Sequence, residues 1–69
     1  MSDGELISHL REARTRAGLT QLELAELIGV SRKTINTVEN GVFIPSTLLA
    51  LKLARALGTT VEKLFGLSD

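Results

Sequence analysis

A row of hydrogen-bond donors follows helical spacing between residues 32 and 40. Its members, at i, i+1, i+4, i+5 and i+8, are Arg32, Lys33, Asn36, Thr37 and Asn40. Residues at these spacings share one face of an α-helix, and no apolar residue interrupts this face. Ile35 and Val38 fall on the opposite face. The spacing therefore predicts a helix with a buried side and an outer stripe that can donate hydrogen bonds to an acceptor-rich partner.

Arg32 and Lys33 lie in the first turn of this predicted helix, where the helix dipole is positive. A cation in that turn is unfavourable by roughly 0.3–1 kcal/mol. One interpretation is that a polyanion supplies the missing negative charge. The other is that both residues are solvated surface cations whose penalty the fold tolerates. Arg32 and Lys33 alone do not decide between a polyanionic partner and solvation.

The donor stripe must be positioned by the helix before it. Thr20 and Glu23 have the spacing of a capping box at the start of that helix, and Gly29 suits its left-handed end. Ser31 is placed to cap the second helix only two residues later. Helices joined this closely must cross steeply. Thr20–Gly41 is therefore predicted to be a helix-turn-helix, the shape of a DNA-reading element.

Three further helices are predicted around this pair. The first has an apolar row formed by Leu6, Leu10, Ala13 and Ala17. The fourth runs from a cap at Ser46 to Leu57, and the fifth begins after Thr59 or Thr60. Thr59 and Glu62 also have the spacing of a capping box. No segment predicts a strand, so the expected fold is all-α and compact, with five helices.

Length and composition exclude several classes of protein. Sixty-nine residues with 43% hydrophobic content predict one domain over residues 1–69, with its core at about 6–65. Without cysteine there is no disulfide and no thiolate metal site, and His9 alone forms neither a metal centre nor a catalytic triad. An enzyme is not expected, and neither is a metal or cofactor. The longest apolar run, Leu48–Leu51, is too short for a membrane span, so a cytoplasmic protein is expected.

The charge is balanced, with eight basic and eight acidic residues and a formal net charge of zero. This balance argues against a protein that coats nucleic acid by bulk charge. It allows a local basic face, and it predicts modest non-specific affinity for nucleic acid.

Several short segments carry a resemblance to a known family. They are Gly18-Leu19-Thr20-Gln21, Glu23-Leu24-Ala25, Gly29-Val30-Ser31, Thr34-Ile35, Glu39-Asn40-Gly41, Pro45-Ser46 and Ala54-x-Ala56-Leu57-Gly58. Together they resemble the XRE family, which includes the Cro and lambda-type phage repressors. The resemblance runs from about Leu6 to Phe65. It implies a five-helix lambda-repressor-like domain that binds double-stranded DNA sequence-specifically, usually as a homodimeric transcriptional regulator.

The resemblance also implies roles for individual residues. The residues expected to reach base edges are Arg32, Lys33 and Thr37, with Asn36 either beside them or on a phosphate. The residues expected to hold the DNA backbone are Gln21 and Asn40, with phosphate contacts added by Ser31 and Thr34. Arg14 and Glu39 match a family pair that links the first helix to the recognition helix, and a structural role is expected for them.

The chain departs from the family pattern in a way that bears on its partner. Val42, Phe43 and Ile44 occupy a loop that often carries a basic residue, and Leu48 and Leu51 add apolar surface to the fourth helix. Surplus apolar surface suggests a partner face, although a single such residue could equally extend the core of a small domain. The hypothesis is a homodimer contact formed by Phe43, Ile44, Leu48 and Leu51, with the last helix as a possible addition. The operator is then expected to be near-palindromic.

Two function classes follow. The leading one is a dimeric regulator, such as a phage-type repressor or a restriction-modification controller protein. The alternative is an antitoxin-like interaction module, in which the apolar surface binds a protein and DNA binding is secondary. The sequence shows no feature of a small-molecule ligand site, so regulation by protein concentration is the simpler expectation.

Overall fold

The computed structural model describes residues 4–68, which form five helices and two short strands. In chain order the elements are β1 (Glu5–Ser8), α1 (Leu10–Arg16), α2 (Gln21–Ile28), α3 (Arg32–Glu39), α4 (Thr47–Ala56), α5 (Val61–Leu64) and β2 (Phe65–Ser68). The mostly helical fold and the number of helices agree with the sequence prediction.

The two strands correct the prediction of an all-α fold. β1 and β2 pair antiparallel, with Glu5 opposite Ser68 and Ser8 opposite Phe65. Each strand has only four residues, the lower limit for reading an alternating pattern, and the adjacent Leu6 and Ile7 of β1 do not alternate. The pairing also joins the two ends of the described chain. A contact over such a distance in sequence leaves no local signal, which explains why the sheet was not predicted.

The sheet also shifts the start of the first helix. α1 begins at Leu10, with His9 at its N-cap, and Leu6 lies in β1 instead. Leu6 still packs against the core, so an inward apolar residue imitates the spacing of a helical row. At the other end, Ala17 is the C-cap residue and is exposed. The predicted apolar row therefore holds for Leu10 and Ala13 and is wrong at both ends.

The last helix is capped by the second of the two candidate threonines. Thr60 Oγ1 accepts a hydrogen bond from the backbone N–H of Lys63 at 3.2 Å. The predicted capping box of Thr59 and Glu62 is therefore wrong, because the helix begins one residue later. Phe65 is buried as predicted, but it opens β2 and does not belong to the helix.

One apolar core receives residues from all five helices and from β2. Its buried members are Leu10, Leu24, Ala25, Ile35, Val38, Leu49, Ala50, Leu53, Ala54, Leu64 and Phe65. Burying one large apolar side chain stabilises a fold by about 1.5–3 kcal/mol. The core is thus the main source of stability in a chain without cysteine, and it holds α3 by one side.

Candidate nucleic-acid interface

The first helix of the helix-turn-helix has the predicted cap at each end. Thr20 Oγ1 accepts from the N–H of Glu23 at 3.0 Å, and Glu23 Oε1 accepts from the N–H of Thr20 at 2.8 Å. At its C-terminus Gly29 adopts the left-handed conformation, with φ of 76°. This conformation suits glycine and turns the chain sharply. α3 therefore begins only three residues after Gly29.

The start of α3 is fixed by a second cap. Ser31 Oγ accepts from the backbone N–H of Thr34 at 3.1 Å, and the two hydroxyl oxygens lie 2.9 Å apart. On the inner side of the helix, Ile35 and Val38 are 0% and 1% exposed. The cap and the two buried side chains together fix the rotation of α3, so that its polar stripe faces solvent.

The structure places the residues predicted to read bases together on this outer side. Arg32 and Lys33 are exposed, whereas Asn36 and Thr37 are half-buried. The first turn of α3 contains no acidic residue. Within residues 4–68 the ion pairs involve Glu39 and neither of these two cations. The positive charge at this helix start is therefore not neutralised by the part of the chain that the structure describes.

The hydroxyl proton of Thr37 is already used in hydrogen bonds within α3. Its Oγ1 hydroxyl donates to the backbone carbonyl oxygens of Lys33 and Thr34, each at 3.0 Å. A hydroxyl has one proton to donate, and here that proton is used within the helix. Thr37 is left with its methyl group and with lone pairs that can accept.

The four residues predicted to hold the DNA backbone lie near the two ends of α3. Ser31 and Thr34 form its N-terminal cap, and Asn40 directly follows its last residue. Gln21 opens α2, and its Nε2 donates to Glu39 Oε1 at 3.0 Å. The structure thus brings all four to the helix that carries the donor stripe, and it connects Gln21 to the C-terminal end of that helix.

Glu39 is the charged centre of this region, and its side chain is fully buried. Arg14 Nε donates to Oε2 at 2.5 Å and Arg14 Nη2 donates to Oε1 at 3.2 Å. This confirms the predicted link between the first and third helices. Arg11 Nε also donates to Oε1, at 3.3 Å. Sequence reasoning missed the contacts of Arg11 and Gln21 with this carboxylate. The signal for Arg11 was its position one helical turn before Arg14.

In this cluster, Glu39 and Arg14 each shift the pKa of the other toward the charged form. Burial by itself raises the pKa of Glu39, but hydrogen bonds from Arg14 and Gln21, the charge of Arg14 and the bond from Arg11 outweigh it. The pKa of Glu39 is therefore held below its ordinary value. The hydrogen bond to Glu39 likewise raises the pKa of Arg14, against the opposing effect of burial. Glu39 is thus an anion at neutral pH, and it ties α3 to α1 and α2.

The four residues predicted to form the dimer contact are all exposed, by 46% to 73%. Ile44, Leu48 and Leu51 line one apolar groove, which α4 forms with α5 and the sheet. Phe43 lies in a separate hollow beside Lys33 and Thr37. The structure therefore joins three of the four residues on one surface and places Phe43 next to the recognition stripe.

Within residues 4–68, no group of histidine, aspartate and glutamate side chains could hold a metal ion. No helix in that range is long and apolar enough to cross a membrane.

Comparison with known proteins gives consistent matches. The helix-turn-helix family model HTH_3 matches residues 10–64. An HTH-type transcriptional regulator of Methanothermobacter thermautotrophicus is 49% identical over 61 residues, covering 87% of this chain and 88% of the relative. The restriction-modification controller protein C.AhdI of Aeromonas hydrophila is 42% identical with a TM-score of 0.73, covering 78% of each chain. The clp gene regulator ClgR of Corynebacterium glutamicum is 35% identical with a TM-score of 0.74, and the match covers 78% of this chain and 57% of ClgR.

Proposed function

This chain belongs to the helix-turn-helix family of XRE type, and from that premise we propose that it regulates transcription by reading a specific sequence in double-stranded DNA. α3 is the recognition helix and enters the major groove. The observation that carries the proposal is the first turn of α3, where two exposed cations have no acidic neighbour in that turn. DNA phosphates and base acceptors supply the missing partner.

Base reading is assigned to the outer stripe of α3. Arg32 can donate two hydrogen bonds to guanine, and a good bidentate pair is worth about 1–3 kcal/mol of discrimination. Lys33 donates to neighbouring base acceptors. Thr37 contacts a thymine methyl group, because its own methyl remains free while its hydroxyl proton is used within the helix. Asn36 lies one helical turn further along and donates through its amide.

Backbone contacts are assigned to the residues at the helix ends. Ser31 and Thr34 bring hydroxyl groups and backbone amides to the N-terminus of α3, which is the kind of site that binds a phosphate. Gln21 at the start of α2 and Asn40 after α3 contribute side-chain amides. Such contacts set the register of a protein on DNA and carry no sequence information themselves.

The active form is proposed to be a homodimer. Ile44, Leu48 and Leu51 expose a connected apolar groove, and Phe43 extends the apolar surface toward the recognition stripe. A second copy of the chain would cover this surface by two-fold symmetry. The two recognition helices then lie one DNA turn apart, roughly 34 Å, and the operator is near-palindromic.

The test is selection of bound duplexes from a random DNA pool at near-physiological salt. The native chain is compared with Arg32→Ala/Lys33→Ala and with the matched control Arg16→Ala/Lys63→Ala. The control removes two exposed positive charges from a surface away from α3. We expect the native chain and the control to recover the same near-palindromic site, and the α3 variant to recover none.

Two outcomes would contradict the proposal. If the α3 variant recovered the native site, the two cations would be solvated surface residues and other side chains would read the DNA. If no chain enriched any sequence, the exposed apolar groove would favour the antitoxin-like alternative. Co-purification of a second small protein bound at Leu48 and Leu51 would then be the decisive observation.

A further inference from the structure

We propose that Arg11, on α1, binds a DNA phosphate and thereby lets the DNA backbone approach the C-terminal end of α3. Its guanidinium lies against Asn40, which directly follows α3 and is assigned above to the DNA backbone. The proposal rests on the proposed DNA-binding function, and it adds to that function a contact from an element outside the helix-turn-helix.

The C-terminal end of α3 is by itself a poor place for a phosphate. The helix dipole is negative there, equivalent to about half an elementary charge. Glu39, the last residue of α3, adds a full negative charge, because its pKa is held below the ordinary value. Asn40 is neutral. A phosphate at Asn40 would therefore be repelled unless nearby cations outweigh these negative charges.

Arg14 balances one of these charges from inside the protein. Its Nε and Nη2 donate to the Glu39 carboxylate, and its Nη1 donates to the carbonyl oxygen of Leu19 at 2.9 Å. Its side chain is only 12% exposed. Arg14 thus neutralises Glu39 and is not accessible to DNA, while the negative end of the helix dipole remains.

Arg11 is the surplus cation of this cluster. Its Nε donates to Glu39 at 3.3 Å, and its Nη2 donates to Asn40 Oδ1 at 2.7 Å. A guanidinium has five N–H groups, and the other three have no partner within residues 4–68. The side chain is 55% exposed. Arg11 therefore presents a positive charge and free donors beside Asn40, a combination that binds phosphate oxygens strongly.

The balance of charge at this end of α3 depends on Arg11. Arg11 and Arg14 carry two positive charges, against one negative charge on Glu39 and about half a charge from the helix dipole. The total is positive only when Arg11 is present. Glu39 and Asn40 also hold the guanidinium in position, so less side-chain freedom is lost when a phosphate binds.

The experiment measures affinity for DNA as a function of salt concentration, with the native chain, Arg11→Met and Arg11→Lys. Two duplexes are used, the site selected by the native chain and an unrelated sequence. Arg16→Met is the matched control, since Arg16 is an exposed arginine on the same helix and binds neither Glu39 nor Asn40. Thermal unfolding checks that each variant is folded.

We expect Arg11→Met to weaken binding to both duplexes about tenfold, the value of one hydrogen bond to a charged group. The slope of log affinity against log salt concentration should become less steep by about 0.9, which corresponds to one phosphate. Arg11→Lys keeps the charge and should keep the native slope, and so should Arg16→Met. A purely structural role for Arg11 would lower the affinity and leave the slope unchanged.

A second measurement locates the phosphate. Uncharged methylphosphonate linkages replace the phosphates of the selected site one at a time. One replacement should weaken binding by the native chain and by Arg16→Met, and should have little further effect on Arg11→Met, because the two changes remove the same contact. Should Arg11→Met fail to fold, Arg11→Gln replaces it, since glutamine keeps a side-chain donor for Glu39.

The outcomes separate this proposal from the proposed function. An unchanged slope in Arg11→Met, an equal change in Arg16→Met, or no linkage whose effect depends on Arg11 would overturn the role of Arg11, and selection of a site by the native chain would still support sequence reading. If the native chain selected no site, sequence reading would fail, and the slopes on the unrelated duplex would still judge Arg11. Absence of binding to any duplex would overturn both.

Discussion

Glu39 has no exposed side-chain surface, yet it is held in its charged form. Its two oxygens receive hydrogen bonds from Arg14, Arg11 and Gln21. A buried ion pair adds little stability when both members are replaced together, but removing one member leaves an uncompensated charge. The cluster therefore specifies the position of α3 relative to α1 and α2, and the placement of the outer stripe of α3 depends on it.

The charge of Glu39 makes stability depend on pH. A carboxyl whose folded pKa is lowered contributes stability above its unfolded pKa, near 4.5, and the contribution is lost as pH falls through the folded value. We expect the free energy of unfolding to fall below about pH 4.5. Glu39→Gln should cost about 3 kcal/mol at pH 7, because Arg14 loses the negative charge of its partner, and should flatten this acid dependence.

Urea unfolding between pH 7 and pH 3 measures both effects. Glu26→Gln is the control, since Glu26 is an exposed carboxylate on α2. Equal acid dependence of the native chain and Glu39→Gln would show that other carboxyl groups cause it.

Thr37 gives a second prediction, which separates its methyl group from its hydroxyl. Thr37→Val keeps the methyl group and should retain the thymine preference, because the hydroxyl proton is used within α3. Thr37→Ser removes the methyl group and should weaken discrimination for thymine by about fourfold, the value of one buried methyl-sized contact. Titration of duplexes that carry thymine or uracil at the read position checks the assignment. A loss in Thr37→Val with none in Thr37→Ser would instead assign the contact to the hydroxyl.

Among the elements, the helix-turn-helix was predictable because its signals are local. The caps at Thr20 and Ser31 and the left-handed Gly29 each act within four residues, and all three are present. The sheet was not predictable in the same way, because β1 and β2 are short and meet only when the chain ends come together. Leu6 illustrates the difference, since an inward apolar residue fits a helix pattern and a strand equally well.

In the candidate site, likewise, features within one helix were predictable and most contacts between helices were not. The spacing of the outer residues of α3 indicated their common face, and the resemblance indicated the link between Arg14 and Glu39. The contacts of Arg11 with Asn40 and of Gln21 with Glu39 join residues 29 and 18 positions apart. They depend on how the helices cross, which periodicity within one helix does not specify.

The start of α3 allows its stability to be separated from its proposed DNA contact. Ser31→Ala removes the cap oxygen and should cost about 1 kcal/mol of stability. Ser31→Asp restores a cap acceptor and suits the helix dipole, so it should restore stability. It should nevertheless weaken DNA binding at least tenfold, because its carboxylate faces phosphate. Urea unfolding measures the stability, and DNA titration measures the affinity for DNA.

Ser46→Asp, at the cap of α4, is the control for an added charge. Equal DNA affinity of the Ser31→Asp and Ser46→Asp variants would show that Ser31 does not lie in the DNA interface.

The whole molecule exposes one apolar groove, which Ile44, Leu48 and Leu51 line. These side chains are exposed by 73%, 64% and 55%. The groove is continuous and apolar, unlike the scattered apolar residues that are normal on protein surfaces. A monomer would leave it in contact with water. The proposed homodimer covers it and also supplies the second recognition helix that a near-palindromic operator requires.

Leu51→Glu tests this assembly, because a charge at the dimer contact would be buried without a partner. We expect the dissociation constant of the dimer to rise at least 100-fold, by about 3 kcal/mol. Leu27→Glu is the matched control, since Leu27 is a 61% exposed leucine on α2 and does not line the groove.

Sedimentation equilibrium measures the dissociation constant of the dimer. Titration with DNA that carries one or two half-sites measures DNA binding. Leu51→Glu should lose the advantage of the second half-site and keep native affinity for a single one, because α3 is unchanged. A native chain that remains monomeric at high concentration, or equal association of the two variants, would show that this groove is not the dimer contact.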